Sequence, residues 1–293
     1  MKTMDTFIKG STKLVCLFGF PVEHSISPQI HNHAFRSLSL PYAYIPVNVP
    51  PDKIGTAIDM LRSFSMAGAN VTIPHKKNAL EFCDQLSPLS KQIGAVNTLY
   101  FKDGLLHGTT TDPEGFLKAL EEMGHDPQNG NIVVLGNGGT ARTLAYALAM
   151  QRIPRTLALV GRNAARAGSL ASEISAGTGV QVKSLSFDDP QCAGVFRECS
   201  LCVNCTSAGM HPSVHDTPLD KKYFHRDMVV FDTIYNPSVT RFLREAGDAG
   251  CRTQNGLRML LFQGLSSLKL WTGVEAPENL FDLKTLQGLV ETR

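Results

Sequence analysis

Apolar positions along this chain fall into short unbroken runs separated by helical stripes, the alternation that builds a mostly parallel sheet flanked by helices. Residues 13–20 (KLVCLFGF) form one such run and stop at Pro21, which predicts a buried strand. Ser27 followed by Pro28 has the signature of a helix N-cap with proline at the first helical position, and Ile30, Ala34, Phe35 and Leu38 mark the apolar face of that helix. Residues 42–49 alternate and predict a second strand, after which Asp52 is expected to cap a helix whose inner stripe is Ile54, Ile58, Leu61 and Phe64. The β-branched segment 70–73 predicts a third strand, so the β-α-β-α order favours a parallel sheet. Pro74 cannot donate to a ladder, and the next side chains should emerge at a strand end. A helix over about 77–84 is expected next, and then 93–101 and 105–108 flank Asp103-Gly104 as a two-strand hairpin.

The second half repeats the alternation. Asp112 before Pro113 has the look of another helix cap, with Phe116, Leu117, Leu120 and Met123 on one face. Residues 131–135 (NIVVL) predict a buried strand, and the glycine-rich turn 136–141 (GNGGTA) opens a helix over 142–150. Further apolar strands are predicted at 156–160, 201–205 and 228–232, so residues 113–250 read as a nucleotide domain in their own right. Beyond Gly250 the leucine stripe Leu257, Leu260, Leu261, Leu265 and Leu268 predicts a core-facing helix whose polar interruption is Gln263, followed by Trp271 and a last helix.

At 293 residues the chain favours two cores over one. Its 43% hydrophobic and 18% charged residues are those of a globular protein, and a net charge of +2 is too mild to argue for nucleic acid or a membrane surface as the main partner. No apolar run approaches the roughly 20 residues of a membrane span, and the opening MKTMDTFIKG lacks a signal peptide's apolar region, so a cytoplasmic protein is expected. Seven cysteines, an odd number, then argue for reduced thiols. Cys199, Cys202 and Cys205 have the spacing of a metal site, but on a strand Cys202 points away from the other two. His211 and His215 flank Pro212, and His31 and His33 do not share a helix face, so no metal is expected.

Four features carry candidate chemistry. Lys76 follows the strand end made by 70–73, where α/β proteins keep their reactive groups. Ser25 and Ser27 stand beside a helix N-terminus, where two hydroxyls suit a carboxylate as well as a simple cap. Asp112 can serve as cap, as a catalytic carboxylate, or both. The turn 136–141, with a strand before it and a helix after it, is a dinucleotide fingerprint whose backbone N–H groups can meet a pyrophosphate. Where NAD enzymes usually keep an acid at the end of the next strand, this chain has Arg162 and Arg166, which favours NADP over NAD.

Eight stretches occur in one order over nearly the whole chain: HSISPQIH (24–31), GANVTIPHK (68–76), GAVNTL (94–99), TTTD (109–112), GNGGTA (136–141), NCTSAGM (204–210), DTIYNP (232–237) and NGLRMLLFQG (255–264). Together they resemble the shikimate dehydrogenase family, including its quinate/shikimate members. The resemblance implies an α/β protein of two domains: residues 1–112 with 251–293 as an α/β substrate domain completed by C-terminal helices, and 113–250 as a Rossmann-type NADP domain, with the active-site cleft between them. It implies reversible hydride transfer between 3-dehydroshikimate and shikimate in chorismate biosynthesis. Lys76 and Asp112 would be the catalytic pair, Ser25 and Ser27 would hold the substrate carboxylate, and Thr72, Asn97, Tyr235 and Gln263 would line the hydroxyl pocket. Gly136, Gly138, Gly139, Thr140 and Ala141 would meet the cofactor phosphates, Arg162 the adenosine ribose or its phosphate, and Met210, Gly256 and Met259 the nicotinamide.

The chain departs from the family at three places. Thr110 stands where asparagine is usual, Pro113 where glycine is usual, and Gly161-Arg162-Asn163 replaces the usual Asn-Arg-Thr, which keeps NAD in play as cofactor. The partner implied is a small hydroxy or oxo cyclohexene carboxylate, with the protein a monomer or homodimer. Rival readings are a quinate/shikimate enzyme using NAD or both cofactors, and a catalytically silent ligand sensor on the same fold. The Lys76 and Asp112 pair argues against the sensor, which needs no proton transfer. A folate-linked dehydrogenase of similar build is disfavoured by the two serines suited to a small carboxylate.

Overall fold

The structure, a computed structural model, describes residues 8–291; the outer limits expected for the first domain, at residues 1 and 293, fall outside them. The chain divides into two compact units, one running to Gly115 and resuming at Leu261–Leu289, the other Phe116–Leu260.

The first unit opens with β1 (Lys13–Gly19), α1 (Ser27–Ser37), β2 (Tyr42–Asn48), α2 (Ile54–Ser63) and β3 (Gly68–Val71). It continues through a 3₁₀ turn at Asn78–Phe82, β4 (Gln85–Leu86), α3 (Pro88–Ile93), β5 (Thr98–Lys102) and β6 (Leu105–Thr109). The strands form one sheet in the order β2-β1-β3-β5-β6-β4. It is mixed: β1 pairs parallel with β2 and β3, but β5 runs antiparallel to β3 and β6. The antiparallel step follows from the Asp103-Gly104 turn, where both residues take positive φ (53° and 78°), the twist a two-residue hairpin requires. Alternation along β1 sends Cys16 and Phe18 to one face, where they pack with Ile54, Ile58 and Leu61 of α2 and with Ala69, Val71 and Leu99.

Three local expectations are corrected. Asp52 does not cap α2: the N-cap is Lys53 without a side-chain bond, and the Asp52 carboxylate lies 3.2 Å from Lys53 Nζ instead. Ser27 lies inside α1 behind Ile26, and Ser25 Oγ accepts from the Ser27 N–H at 3.2 Å. The helix expected over 77–84 is only the short 3₁₀ turn.

The second unit begins along α4 (Asp112–Glu122) and runs through β7 (Asn131–Leu135), α5 (Gly139–Met150), β8 (Thr156–Val160), α6 (Ala164–Thr178), β9 (Val182–Leu185), α7 (Cys192–Arg197), β10 (Leu201–Asn204), β11 (Val229–Asp232), α8 (Arg241–Asp248) and β12 (Arg252–Gln254). Its six strands, in the order β12-β11-β10-β7-β8-β9, are all parallel, a doubly wound Rossmann-type sheet. Parallel strands covered on both faces explain why 131–135 and 156–160 read as continuous apolar runs. Val133, Leu135, Val160, Cys202 and Val230 pack with Phe196 of α7 and with Phe242 and Leu243 of α8. Because β12 joins this sheet, the unit extends past Gly250 to Leu260.

The helix α9 (Leu257–Thr272) leads back into the first unit, and α10 (Leu283–Glu291) closes the described chain. Trp271 on α9 donates Nε1–H to the Leu99 carbonyl at 2.9 Å. Gly68, at φ +154°, gives the indole its room, since a Cβ there would sit 2.6 Å from that nitrogen. No helix among the described residues is long and apolar enough to cross a membrane.

Candidate active site

Lys76 is held by a turn that backbone bonds pin at several points. Thr72 N–H reaches the Phe18 carbonyl at 2.8 Å, His75 N–H the Thr72 carbonyl at 2.9 Å, and Val96 N–H the Lys76 carbonyl at 2.9 Å. The fully buried His75 ring adds a 2.7 Å contact from Nε2 to the Val49 carbonyl. Lys76 therefore leaves the end of β3 from a fixed backbone, and its Nζ donates to Asp112 Oδ2 at 2.7 Å. Asp112 opens α4, with its side chain 14% exposed against 34% for Lys76, so the pair is sheltered but reachable.

Asn97 holds the other carboxylate oxygen, its Nδ2 donating to Asp112 Oδ1 at 2.7 Å. The amide orientation is fixed from behind: Oδ1 accepts from the Thr111 N–H at 2.9 Å and from Thr98 Oγ1 at 2.7 Å. Gln263, from α9, joins the same cluster, its Oε1 accepting from Asn97 Nδ2 at 3.2 Å and from Thr111 Oγ1 at 3.4 Å. A deeper layer supports these groups. Ser267 Oγ contacts Thr98 Oγ1 at 2.8 Å, Asn70 Nδ2 donates to Ser267 Oγ at 3.1 Å, and Tyr44 OH donates to Asn70 Oδ1 at 2.8 Å. Asn70, Asn97, Thr98, Thr111 and Ser267 are all buried, so nearly every polar atom of the network must find its partner inside it.

The structure thus gathers Lys76, Asp112, Asn97 and Gln263 into one bonded group. Ser25 and Ser27 sit together at the start of α1, linked through the Ser27 N–H, and Thr72 begins the Lys76 turn with its methyl against Gly19, where a Cβ would come within 2.4 Å. Thr98, Thr111, Asn70 and Ser267 are the supporting residues that sequence reasoning missed. Their one signal is polar side chains inside otherwise apolar elements.

In the second unit a cavity of about 950 Å³ opens at the C-terminal ends of the strands, lined by Gly136, Gly138, Arg162 and Arg166 among the expected residues. Gly136 takes φ +107°, which favours glycine, and a Cβ there would lie 3.0 Å from Thr206 Cγ2. Gly138 and Gly139 face open space, and Thr140 and Ala141 follow in the first turn of α5. The N–H groups of that first turn lack intrahelical acceptors and are free for an anion. Arg162 and Arg166 are exposed at the cavity wall with Asp216 as the one acidic residue in the lining, a charge balance that suits an added phosphate. A dinucleotide with a 2′-phosphate therefore fits the residues present.

Met210, Tyr235, Gly256 and Met259 do not line this cavity. Met210 is 45% exposed and Met259 8%. Gly256 packs so tightly that a Cβ would fall 2.2 Å from the Thr233 carbonyl oxygen, which fixes the start of α9 against the loop after β11. Sequence reasoning passed over Thr206, Ser207 and Ala208, which line the cavity opposite the glycine turn.

Comparison with known proteins places this geometry in context. Family profiles described as the shikimate dehydrogenase substrate binding domain and the shikimate 5′-dehydrogenase C-terminal domain match residues 17–99 and 256–281. A shikimate dehydrogenase (NADP(+)) of Methanopyrus kandleri is 39% identical over 289 residues, covering 98% of this chain and 99% of the relative. A crystal structure of a shikimate dehydrogenase in complex with NADP+ superimposes with a TM-score of 0.88 at 35% identity, over 97% of this chain and 96% of that one. The shikimate 5-dehydrogenase of Thermus thermophilus, in complex with NADP(H) and shikimate, gives a TM-score of 0.83 at 32% identity, over 96% and 99%.

Proposed function

The chain belongs to the shikimate dehydrogenase family, and from that premise we propose that it interconverts shikimate and 3-dehydroshikimate with NADP(H), a step of chorismate biosynthesis. The observation that supports this reading is the 2.7 Å contact of Lys76 Nζ with Asp112 Oδ2, with Asn97 on the second carboxylate oxygen. A lysine and a carboxylate so placed form a proton-transfer pair, which an alcohol dehydrogenase needs and a ligand sensor does not.

We assign the substrate to groups carried mainly by the first unit, with Tyr235 from the second, and the cofactor to the second. Ser25 and Ser27 hold the carboxylate of the ring acid, and Thr72, Asn97, Gln263 and Tyr235 recognise its hydroxyls. Lys76 takes the proton from the reacting hydroxyl in the oxidation and returns it to the carbonyl oxygen in the reduction, while Asp112 keeps the amine aimed at that oxygen. The nicotinamide, when bound, supplies or accepts the hydride. Gly136, Gly138, Gly139, Thr140 and Ala141 bind its pyrophosphate, and Arg162 and Arg166 bind the 2′-phosphate. Met210, Gly256 and Met259 shape the nicotinamide end.

The test is a matrix of kcat/KM for shikimate and quinate with NADP and NAD. Shikimate with NADP should give the largest value. Absence of cofactor reduction with shikimate over a broad pH range would overturn the proposal.

A further inference from the structure

Asp232, at the C-terminal end of β11, is the one carboxylate in the buried core of the described residues, with 0% exposure. Burial pushes its carboxyl up to about 6, a cost that its hydrogen bonds offset in part. Its Oδ1 accepts from Asn204 Nδ2 at 2.9 Å and from the Ile234 N–H at 3.0 Å, and its Oδ2 accepts from Thr240 Oγ1 at 2.6 Å. All three partners are donors, so the hydrogen bonds favour the ionised form against the opposing effect of burial.

The bonds lead outward. Asn204 ends β10, the neighbouring strand, and with its amide committed to Asp232 its Oδ1 accepts both the N–H and the hydroxyl of Thr206, at 2.9 and 2.8 Å. The Thr206 hydroxyl in turn accepts the Ala208 N–H at 3.2 Å. Thr206, Ser207 and Ala208 line the cavity that also holds Gly136, and Thr206 Cγ2 stands where a Cβ on Gly136 would press at 3.0 Å. From the other carboxylate oxygen, Thr240 caps α8 through the Leu243 N–H at 3.3 Å.

We propose that Asp232 is a positioning residue for the dinucleotide, acting through Asn204 to hold the Thr206–Ala208 turn in the shape against which the cofactor rests. A buried carboxylate is a poor device for stability alone, because well-packed apolar residues of the same volume often do as well or better. Here its bonds end on a turn at the cofactor cavity and on the two ends of the loop that carries Tyr235, and both are places where geometry matters more than packing. Asn204 is the lever: an amide whose NH2 is claimed by a carboxylate can present only its oxygen to Thr206.

The inference rests on the NADP(H) reading above. Its test is fluorescence titration of NADPH into the full chain, for wild type, Asp232→Asn and Thr206→Val, alongside thermal midpoints and separate KM values for NADP and shikimate. Asp232→Asn keeps the volume but brings a donor to a site of three donors, and the NADPH Kd should rise about tenfold or more, the scale of a hydrogen bond to a charged group. Thr206→Val removes only the outer bonds, and should raise the NADPH Kd and the NADP KM several-fold, on the order of one neutral hydrogen bond, while leaving the shikimate KM and the thermal midpoint in place. A folded Asp232→Asn chain with the wild-type NADPH Kd overturns the proposal. If Asp232→Asn does not fold, Thr206→Val decides, and an unchanged Kd there overturns it equally. A wild-type chain that binds NADPH but does not oxidise shikimate sinks the proposed function instead and leaves this titration fully readable.

Discussion

Lys76 and Asp112 lie 36 positions apart in the chain and meet at 2.7 Å, the lysine from a turn at the end of β3 and the aspartate from the first residue of α4. Neither side chain is fully buried, so both groups stay open to solvent. Lys76→Ala should lower kcat by at least about a hundredfold, the low end of general acid–base contributions, with only a modest change in the shikimate KM. Steady-state kinetics at saturating NADP measure this, and a wild-type kcat in the variant would remove Lys76 from the proton transfer.

The network behind the pair separates residues that hold Asp112 from residues that support the holders. Asn97 touches Asp112 and also satisfies the Thr98 hydroxyl and the Thr111 N–H, so Asn97→Ala strands several buried donors at once. Each such group costs about 1–3 kcal/mol, and a loss of about 2–4 kcal/mol in urea unfolding is expected, together with a fall in kcat/KM. Ser267→Ala should cost only about 1 kcal/mol. The Ser267 hydroxyl donates to the Gln263 carbonyl at 3.0 Å, and removing it leaves Thr98 still donating to Asn97 Oδ1 at 2.7 Å and accepting from Asn70 Nδ2 at 3.2 Å. Equal losses for the two variants would contradict this ordering.

The exposed guanidiniums of Arg162 and Arg166 line the cavity in the second unit, and in the proposed function they are the groups that tell NADP from NAD. The double variant Arg162→Ala/Arg166→Ala should raise the NADP KM about tenfold or more, as expected for a charge-assisted bond to phosphate, while the NAD KM stays near its original value. The ratio of the two KM values is the readout. A parallel rise in both would mean that the arginines meet the shared part of the dinucleotide.

What the sequence made legible was what its local pattern encodes. Residues 131–135 and 156–160 are strands β7 and β8 with the bounds their apolar runs suggested, because parallel strands buried on both faces carry no polar alternation to blur them. Asp103-Gly104 announced its hairpin for the same local reason. By contrast β4 has two residues and β9 carries Lys183 and Ser184, so neither stands out as an apolar run. The Asp52 cap failed because an acidic residue at a plausible position found a lysine next to it rather than an N–H of the helix. The support for the site was least visible of all: Asn70 and Ser267 meet at 3.1 Å across 197 positions, and Asn204 meets Asp232 across 28. Such pairs are settled by tertiary packing, on which propensity and periodicity are silent.

His31 offers a test by pH. It is 1% exposed, stacked on Tyr44 with ring centroids 4.3 Å apart and tilted against Trp271 at 5.2 Å, and burial lowers its pKa to about 3. The folded state therefore keeps the ring neutral, while the unfolded chain takes up a proton as the pH falls below about 6.5. The stability that neutral His31 provides is complete above that value and is lost as the pH falls toward 3, about 2 kcal/mol of it by pH 5. Asp232 works in the opposite sense: with its folded pKa raised to about 6, it binds its proton first in the folded state and adds stability as the pH falls from 6 toward 4. The wild-type profile is thus flatter than either group alone would make it, and the clean measurement is a difference. Because Asp232 is common to both chains, the stability of wild type minus that of His31→Gln should fall by about 2 kcal/mol between pH 7 and pH 5, read from urea unfolding at each pH. A difference independent of pH would show that His31 titrates in the folded protein as it does in the unfolded chain.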